Sequence, residues 1–114
     1  MNQLNQCIVE GVFAKDARMT TDCNRNLVIR FDIETKRYDK DANGETVEEV
    51  STFPVEWYGE HPVEWYGEHK FSNFLKGNTV RLIGRLKLKK CDGEDGKKHS
   101  AIIIIAEHFE VLGV

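Results

Sequence analysis

Arg85, Lys87 and Lys89 alternate with Leu86 and Leu88, so in an extended chain three cations fall on one face and two leucines on the other. They sit in a wider basic run: from Arg81 to Lys90 there are five basic residues and no acid. Earlier in the chain Arg30 lies in an alternating apolar segment, and Lys36-Arg37-Tyr38 forms a basic-aromatic shoulder. Phe53, Trp57 and Tyr58 add flat rings. Cations that neutralise phosphates, with aromatics that accept bases, are what an unpaired nucleic-acid strand requires, and stacking is worth about 1–3 kcal/mol per base. The candidate binding set is Arg30, Lys36, Arg37, Tyr38, Phe53, Trp57, Arg81, Arg85, Lys87 and Lys89. The bland alternative for the charged runs is a solvated strand face, and for Phe53 and Trp57 it is core packing.

Other chemistries find little support. His61 and His69, with Glu60 and Glu68, owe their spacing to a duplication, and no third His or Cys stands nearby with metal-ligand spacing. Ser51, Ser72 and Ser100 lie in no nucleophile elbow, and no phosphate-binding glycine loop occurs. No catalytic residue, metal or cofactor is therefore expected. Cys7, Cys23 and Cys91 are odd in number and far apart, which fits reduced thiols in a cytoplasmic protein better than a disulfide framework. Met1 to Gln6 has neither a basic nor an apolar stretch of the signal-peptide kind. No apolar run approaches the roughly 18 residues of a membrane span. The net charge is −3, and seven acids without a single Lys or Arg lie between Glu45 and Glu68, so any affinity for phosphates must come from the distribution of charge.

The elements that must carry these residues read mostly as strands. Gln6 to Phe13 is the first. From Leu27 to Thr35, Leu27, Ile29, Phe31 and Ile33 share one face, while Val28, Arg30, Asp32 and Glu34 share the other. Asn43-Gly44 marks a tight turn, so the second and third strands form a long hairpin that returns through Val47, Val50 and Phe53. Phe71, Phe74 and Leu75 have helical spacing before Gly77, which predicts a short helix over Lys70–Leu75. Thr79–Lys90 reads as a strand bent at Gly84, and Ser100–Leu112 as a closing strand whose Ile102–Ile105 run is buried on both sides. Phe31, Phe71, Phe74 and Phe109 are assigned to the core. The prediction is an all-β, five-stranded OB-fold barrel with one short helix between strands 3 and 4, forming a single domain over residues 1–114.

Residues 54–61 and 62–69 are identical octapeptides, Pro-Val-Glu-Trp-Tyr-Gly-Glu-His. The unit is too short for a solenoid, whose repeats need roughly 20 residues or more. Because only the first copy adjoins Phe53, it is expected to complete the third strand, with the second copy displaced outward before the helix.

Several segments, in order, resemble bacterial single-stranded DNA-binding proteins (SSB). Asn5-Gln6-Cys7-Ile8-Val9-Glu10-Gly11 is similar to their opening strand. Phe31-Asp32-Ile33, Lys36-Arg37-Tyr38 and Asn43-Gly44-Glu45 are similar to the second strand and its hairpin. Leu75-Lys76-Gly77-Asn78-Thr79-Val80 and Gly84-Arg85-Leu86 resemble the helix end and next strand. Asp95-Gly96-Lys97-Lys98 and Ala106-Glu107-His108-Phe109-Glu110-Val111-Leu112-Gly113 resemble the last hairpin and closing strand. The resemblance implies an OB-fold, sequence-independent binding of single-stranded DNA in replication, repair or recombination, and a homo-oligomer (tetramer, or dimer) in the bacterial cytoplasm at the nucleoid. It places Arg37, Tyr38, Phe53, Arg85, Lys87 and Lys89 in the binding set. Family members continue into a disordered tail whose acidic tip recruits replication or repair proteins. The present sequence ends at Val114, so such partners cannot be assigned to a tip here. Two alternatives stay open: a tailless primosomal-type OB protein acting mainly through protein assembly, and an RNA-binding OB module.

Overall fold

The alternating segments form strands that close on themselves. A computed structural model describes residues 1–21, 25–58 and 75–113. It contains β1 (Cys7–Phe13), β2 (Arg18–Thr21), β3 (Leu27–Lys40), β4 (Thr46–Trp57), β5 (Thr79–Asp92) and β6 (Lys98–Gly113). Strands β1, β5, β6, β4 and β3 are hydrogen-bonded in that order. β1 then returns to β3 through Val12–Glu34 and Phe13–Ile33, which closes a five-stranded barrel of OB type. Closure leaves no open sheet edge in the ring. The short β2, which the sequence pattern did not single out, pairs among the described residues only with β3, from Arg18–Arg30 to Thr21–Leu27.

No helix occurs among the described residues. Of the helix expected over Lys70–Leu75, residues 70–74 lie outside them, and Leu75 stands in a bend that leads into a turn at Lys76 and Gly77. That turn is tied to the barrel: the Gly77 N–H donates to the Phe13 carbonyl at 2.9 Å, and the Lys76 N–H donates to Asp16 Oδ1 at 2.7 Å. β4 takes Pro54–Trp57 from the first octapeptide. The remainder of that copy beyond Tyr58, and all of the second, fall outside the described residues, as does the expected displacement of the second copy.

The core gathers Phe13, Ile29, Phe31, Ile33, Val55, Val80, Leu82 and Ile104. Phe13 and Phe31 meet edge to face, with ring centroids 4.8 Å apart. Burying a side chain of this size contributes about 1.5–3 kcal/mol. Phe31 is thus where the sequence placed it. Phe71, Phe74 and the Phe109 side chain lie outside the described residues.

One apolar prediction needs correction. Ile103, Ile104 and Ile105 are buried, but Ile102 is 65% exposed. Leu86 and Leu88 are also exposed, although their register continues the core face of Leu82. The cause is length: β5 and β6 run past the barrel as a two-stranded arm, where the inward face has nothing to pack against.

Gly84 supplies the bend expected of it. The β5–β6 register shifts between Ile83 and Gly84, and a Cβ at Gly84 would stand 2.2 Å from the Ile105 carbonyl oxygen, so only glycine fits. At the tip of the β3–β4 hairpin Gly44 has φ +80°, and Asp41 Oδ1 accepts from the N–H groups of Asn43 and Glu45.

Candidate nucleic-acid interface

Residues directly opposite each other in a sheet share a face, so the register sorts the candidate residues. Along the β3–β4 hairpin Arg30 lies opposite Glu56, Lys36 opposite Val50 and Tyr38 opposite Glu48. This is the outer face, because the alternate pairs, Ile29–Trp57 and Ile33–Phe53, include the buried isoleucines of the core. Glu56 continues outward beside Ile105, which lies opposite Arg85. Lys87 and Lys89 lie opposite Ile103 and Ala101. Arg30, Lys36, Tyr38, Arg85, Lys87 and Lys89 therefore share one outer sheet surface. Arg37, Phe53 and Trp57 have the opposite, core-side parity. The candidate set divides between two faces, a split that spacing within one strand could not show.

Exposure divides them again. Tyr38 is 65% exposed and Phe53 is 42% exposed, so both rings are open to a base. Trp57 is half-buried and packs against the core, as the bland alternative would have it. Arg81 is drawn to Glu10 at 3.4 Å, outside the hairpin surface on the β1–β5 side. Lys36 approaches Glu48, and Arg85 approaches Glu107, each at 3.8 Å between exposed groups. Such pairs are worth about 0–1 kcal/mol, so they can exchange their carboxylate for a phosphate at little cost. Arg37 and Lys87 make no ion pair among the described residues.

Arg30 and Lys89 are in a different position. Both reach the carboxylate of Glu56, whose side chain is only 3% exposed. Arg30 donates from Nε and Nη2 to Oε2 at 3.0 and 2.6 Å. Lys89 Nζ lies 2.8 Å from each carboxylate oxygen. The Tyr58 hydroxyl donates to Oε1 at 2.5 Å. Burial alone would push the Glu56 carboxyl up, but the hydrogen bonds from Lys89, Tyr58 and Arg30 and the guanidinium charge outweigh it and hold it below the ordinary carboxylate range. Sequence reasoning missed Glu56 because it counted only as one acid in an acidic run. The signal that finds it is the cross-strand register Arg30–Glu56, which is not visible in the sequence.

Backbone anchoring fixes β5 under this surface. The Asn5 side chain donates from Nδ2 to the Leu86 carbonyl at 2.8 Å and accepts from the Leu86 N–H at 3.0 Å, so it continues the β1–β5 ladder past Cys7. Among the described residues no cluster of His, Cys, Asp or Glu could hold a metal ion, and no helix is long and apolar enough to cross a membrane.

Comparison with known proteins agrees with this geometry. The profile of the Single-strand binding protein family matches residues 4–112. Single-stranded DNA-binding proteins of Neisseria meningitidis serogroups A and B are 29% identical over 110 residues, which is 96% of this chain and 60% of each relative. The chain thus spans about 60% of the length of these curated relatives. Among solved structures, a deletion mutant of the single-stranded DNA binding protein from Thermus aquaticus superposes with a TM-score of 0.75 at 21% identity, covering 96% of this chain and 50% of that one. An SSB of Plasmodium falciparum, solved in complex with ssDNA, superposes with a TM-score of 0.74 at 16% identity, covering 100% of this chain and 97% of that one.

Proposed function

Because this chain belongs to the Single-strand binding protein family, we propose that it binds single-stranded DNA without sequence preference and serves replication, repair or recombination. It is read as a binding protein and not an enzyme. The family match over residues 4–112 carries the proposal. The exposed Tyr38 and Phe53 rings, and the exchangeable cations Lys36, Arg37, Arg85 and Lys87, support it physically. A homo-oligomer, in which several such surfaces share one strand, belongs to the same reading and is tested by sedimentation.

The decisive measurement is a titration with oligo-dT at two salt concentrations, following the fluorescence of Trp57 and Trp65. Each phosphate neutralised on a single strand contributes about −0.7 to the slope of log K against log salt. Tight binding at low salt is expected, weakening steeply as salt rises, with duplex DNA bound much more weakly. No binding at low salt would overturn the proposal. Oligo-U serves as the RNA comparison, since only contacts to the 2′-hydroxyl would separate it from oligo-dT.

A further inference from the structure

Arg85, Lys87 and Lys89 alternate along one face of β5, yet only two of them are offered to solvent. The Lys89 side chain is 15% exposed, and it crosses the outer side of β6 to reach Glu56 on β4. From the other direction Arg30, one strand further on, reaches the same carboxylate. One buried anion thereby gathers two cations from opposite sides of the surface that the proposed function assigns to phosphates. The arrangement matches what a phosphate would receive: two guanidinium N–H donors and an ammonium on one negatively charged group.

We infer that Glu56 is a built-in competitor for phosphate, a positioning residue that withholds Arg30 and Lys89 from the nucleic acid and so limits affinity and salt dependence. The inference rests on the proposed single-stranded DNA binding. Three features favour withholding over a shared role. The carboxylate is almost wholly buried, so no nucleic acid can reach it to displace it from above. Both of its oxygens are occupied, by three donor groups together. The neighbouring cations on the same face, Arg85 and Lys36, are held only by exposed carboxylates at 3.8 Å. Phosphate contacts therefore fall to the loosely held cations, while the tightly held pair spans β3 to β5 as an internal clamp.

The test is the salt dependence of oligo-dT binding by the wild type and by Glu56→Gln. Each cation made available adds about 0.7 to the steepness of the slope, so the variant should be steeper by about 0.7–1.4 and should bind more tightly at low salt. A purely structural Glu56 would lower the melting temperature and leave the slope alone. Wild-type binding with an unchanged or shallower slope in Glu56→Gln overturns this inference while leaving the proposed function intact. Failure of both proteins to bind at low salt overturns both. Should Glu56→Gln not fold, the Arg30 Nε–H resonance of the wild type gives the answer. It should stay in place during an oligo-dT titration that moves the Arg37 resonance. A comparable movement of the Arg30 signal overturns the inference.

Discussion

Tyr38 and Glu56 lie on the same outer face of one hairpin, and their surroundings could hardly differ more: one ring is open to solvent, and one carboxylate is enclosed by Arg30, Lys89 and Tyr58. Enclosure makes Glu56 a contributor to pH-dependent stability. Its carboxyl is held below the ordinary value of 4.5, so the folded chain keeps it ionised to lower pH than the unfolded chain does. Its stabilisation is therefore complete above about pH 4.5 and is lost as pH falls through the lower folded value. Removing one member of such a cluster leaves half-buried cations unpaired, at a cost of about 2–3 kcal/mol once partial exposure of Arg30 and Lys89 is allowed for. Urea unfolding should show Glu56→Gln less stable than wild type by that amount near neutrality, with the gap narrowing as pH falls below about 4.5. A gap that stays constant across this range would remove the charge from the explanation. Tyr38 was legible in the sequence because a ring in a turn-bounded hairpin has little core to enter. Glu56 was not, because its burial depends on partners 26 and 33 residues away.

The two hairpin arms carry opposite charge. Beyond the barrel, the β3–β4 arm holds Asp39, Asp41, Glu45, Glu48 and Glu49 against Lys36, Arg37 and Lys40. The β5–β6 arm holds Arg85, Lys87, Lys89, Lys90, Lys97 and Lys98 against Asp92, Glu94 and Asp95. Lys36-Arg37-Tyr38 read alone is a basic shoulder, but Arg37 faces Glu49 and Tyr38 faces Glu48 across the ladder. An acidic return strand would repel phosphates that approach its basic partner. Replacing Glu48 and Glu49 by Gln should therefore tighten oligo-dT binding, most clearly at low salt, where charges further apart than about 10 Å still interact. Because both side chains are exposed, the melting temperature should barely move. Unchanged affinity would place the strand's path away from this arm. Strand periodicity revealed the arms' existence, and the Asn43-Gly44 and Gly84 signals located their turn and bend. Periodicity could not show where the barrel ends along β5 and β6, so Ile102 reads as interior in the sequence when, like Leu86 and Leu88, it continues the core face into solvent.

At the scale of the whole molecule, the barrel uses one copy of the octapeptide, whose Val55 and Glu56 make the pairing of β4 with β6. Every strand of the ring lies within the described residues, and the first octapeptide contributes only Pro54–Trp57 to β4. The rest of the two copies, residues 58–69, lies in the connection between β4 and β5, residues 58–78. Strand order was legible because each strand keeps its own alternation. So was the place of the first octapeptide, which alone adjoins Phe53 and supplies Pro54–Trp57 of β4, although the two copies are identical in residues. That identity also makes the experiment simple, since deleting 54–61 or 62–69 yields the same protein. Shortening a connection by this fraction changes the closure entropy by only about 0.4 kcal/mol. The deletion variant should thus match the full chain in unfolding free energy to within about 1 kcal/mol, and it should bind oligo-dT with the same salt slope, since Lys36, Tyr38, Phe53, Arg85 and Lys87 all lie outside the deleted residues. A large loss of stability would mean that the second octapeptide packs on the barrel. A changed salt slope with stability intact would mean that the connection itself touches the nucleic acid.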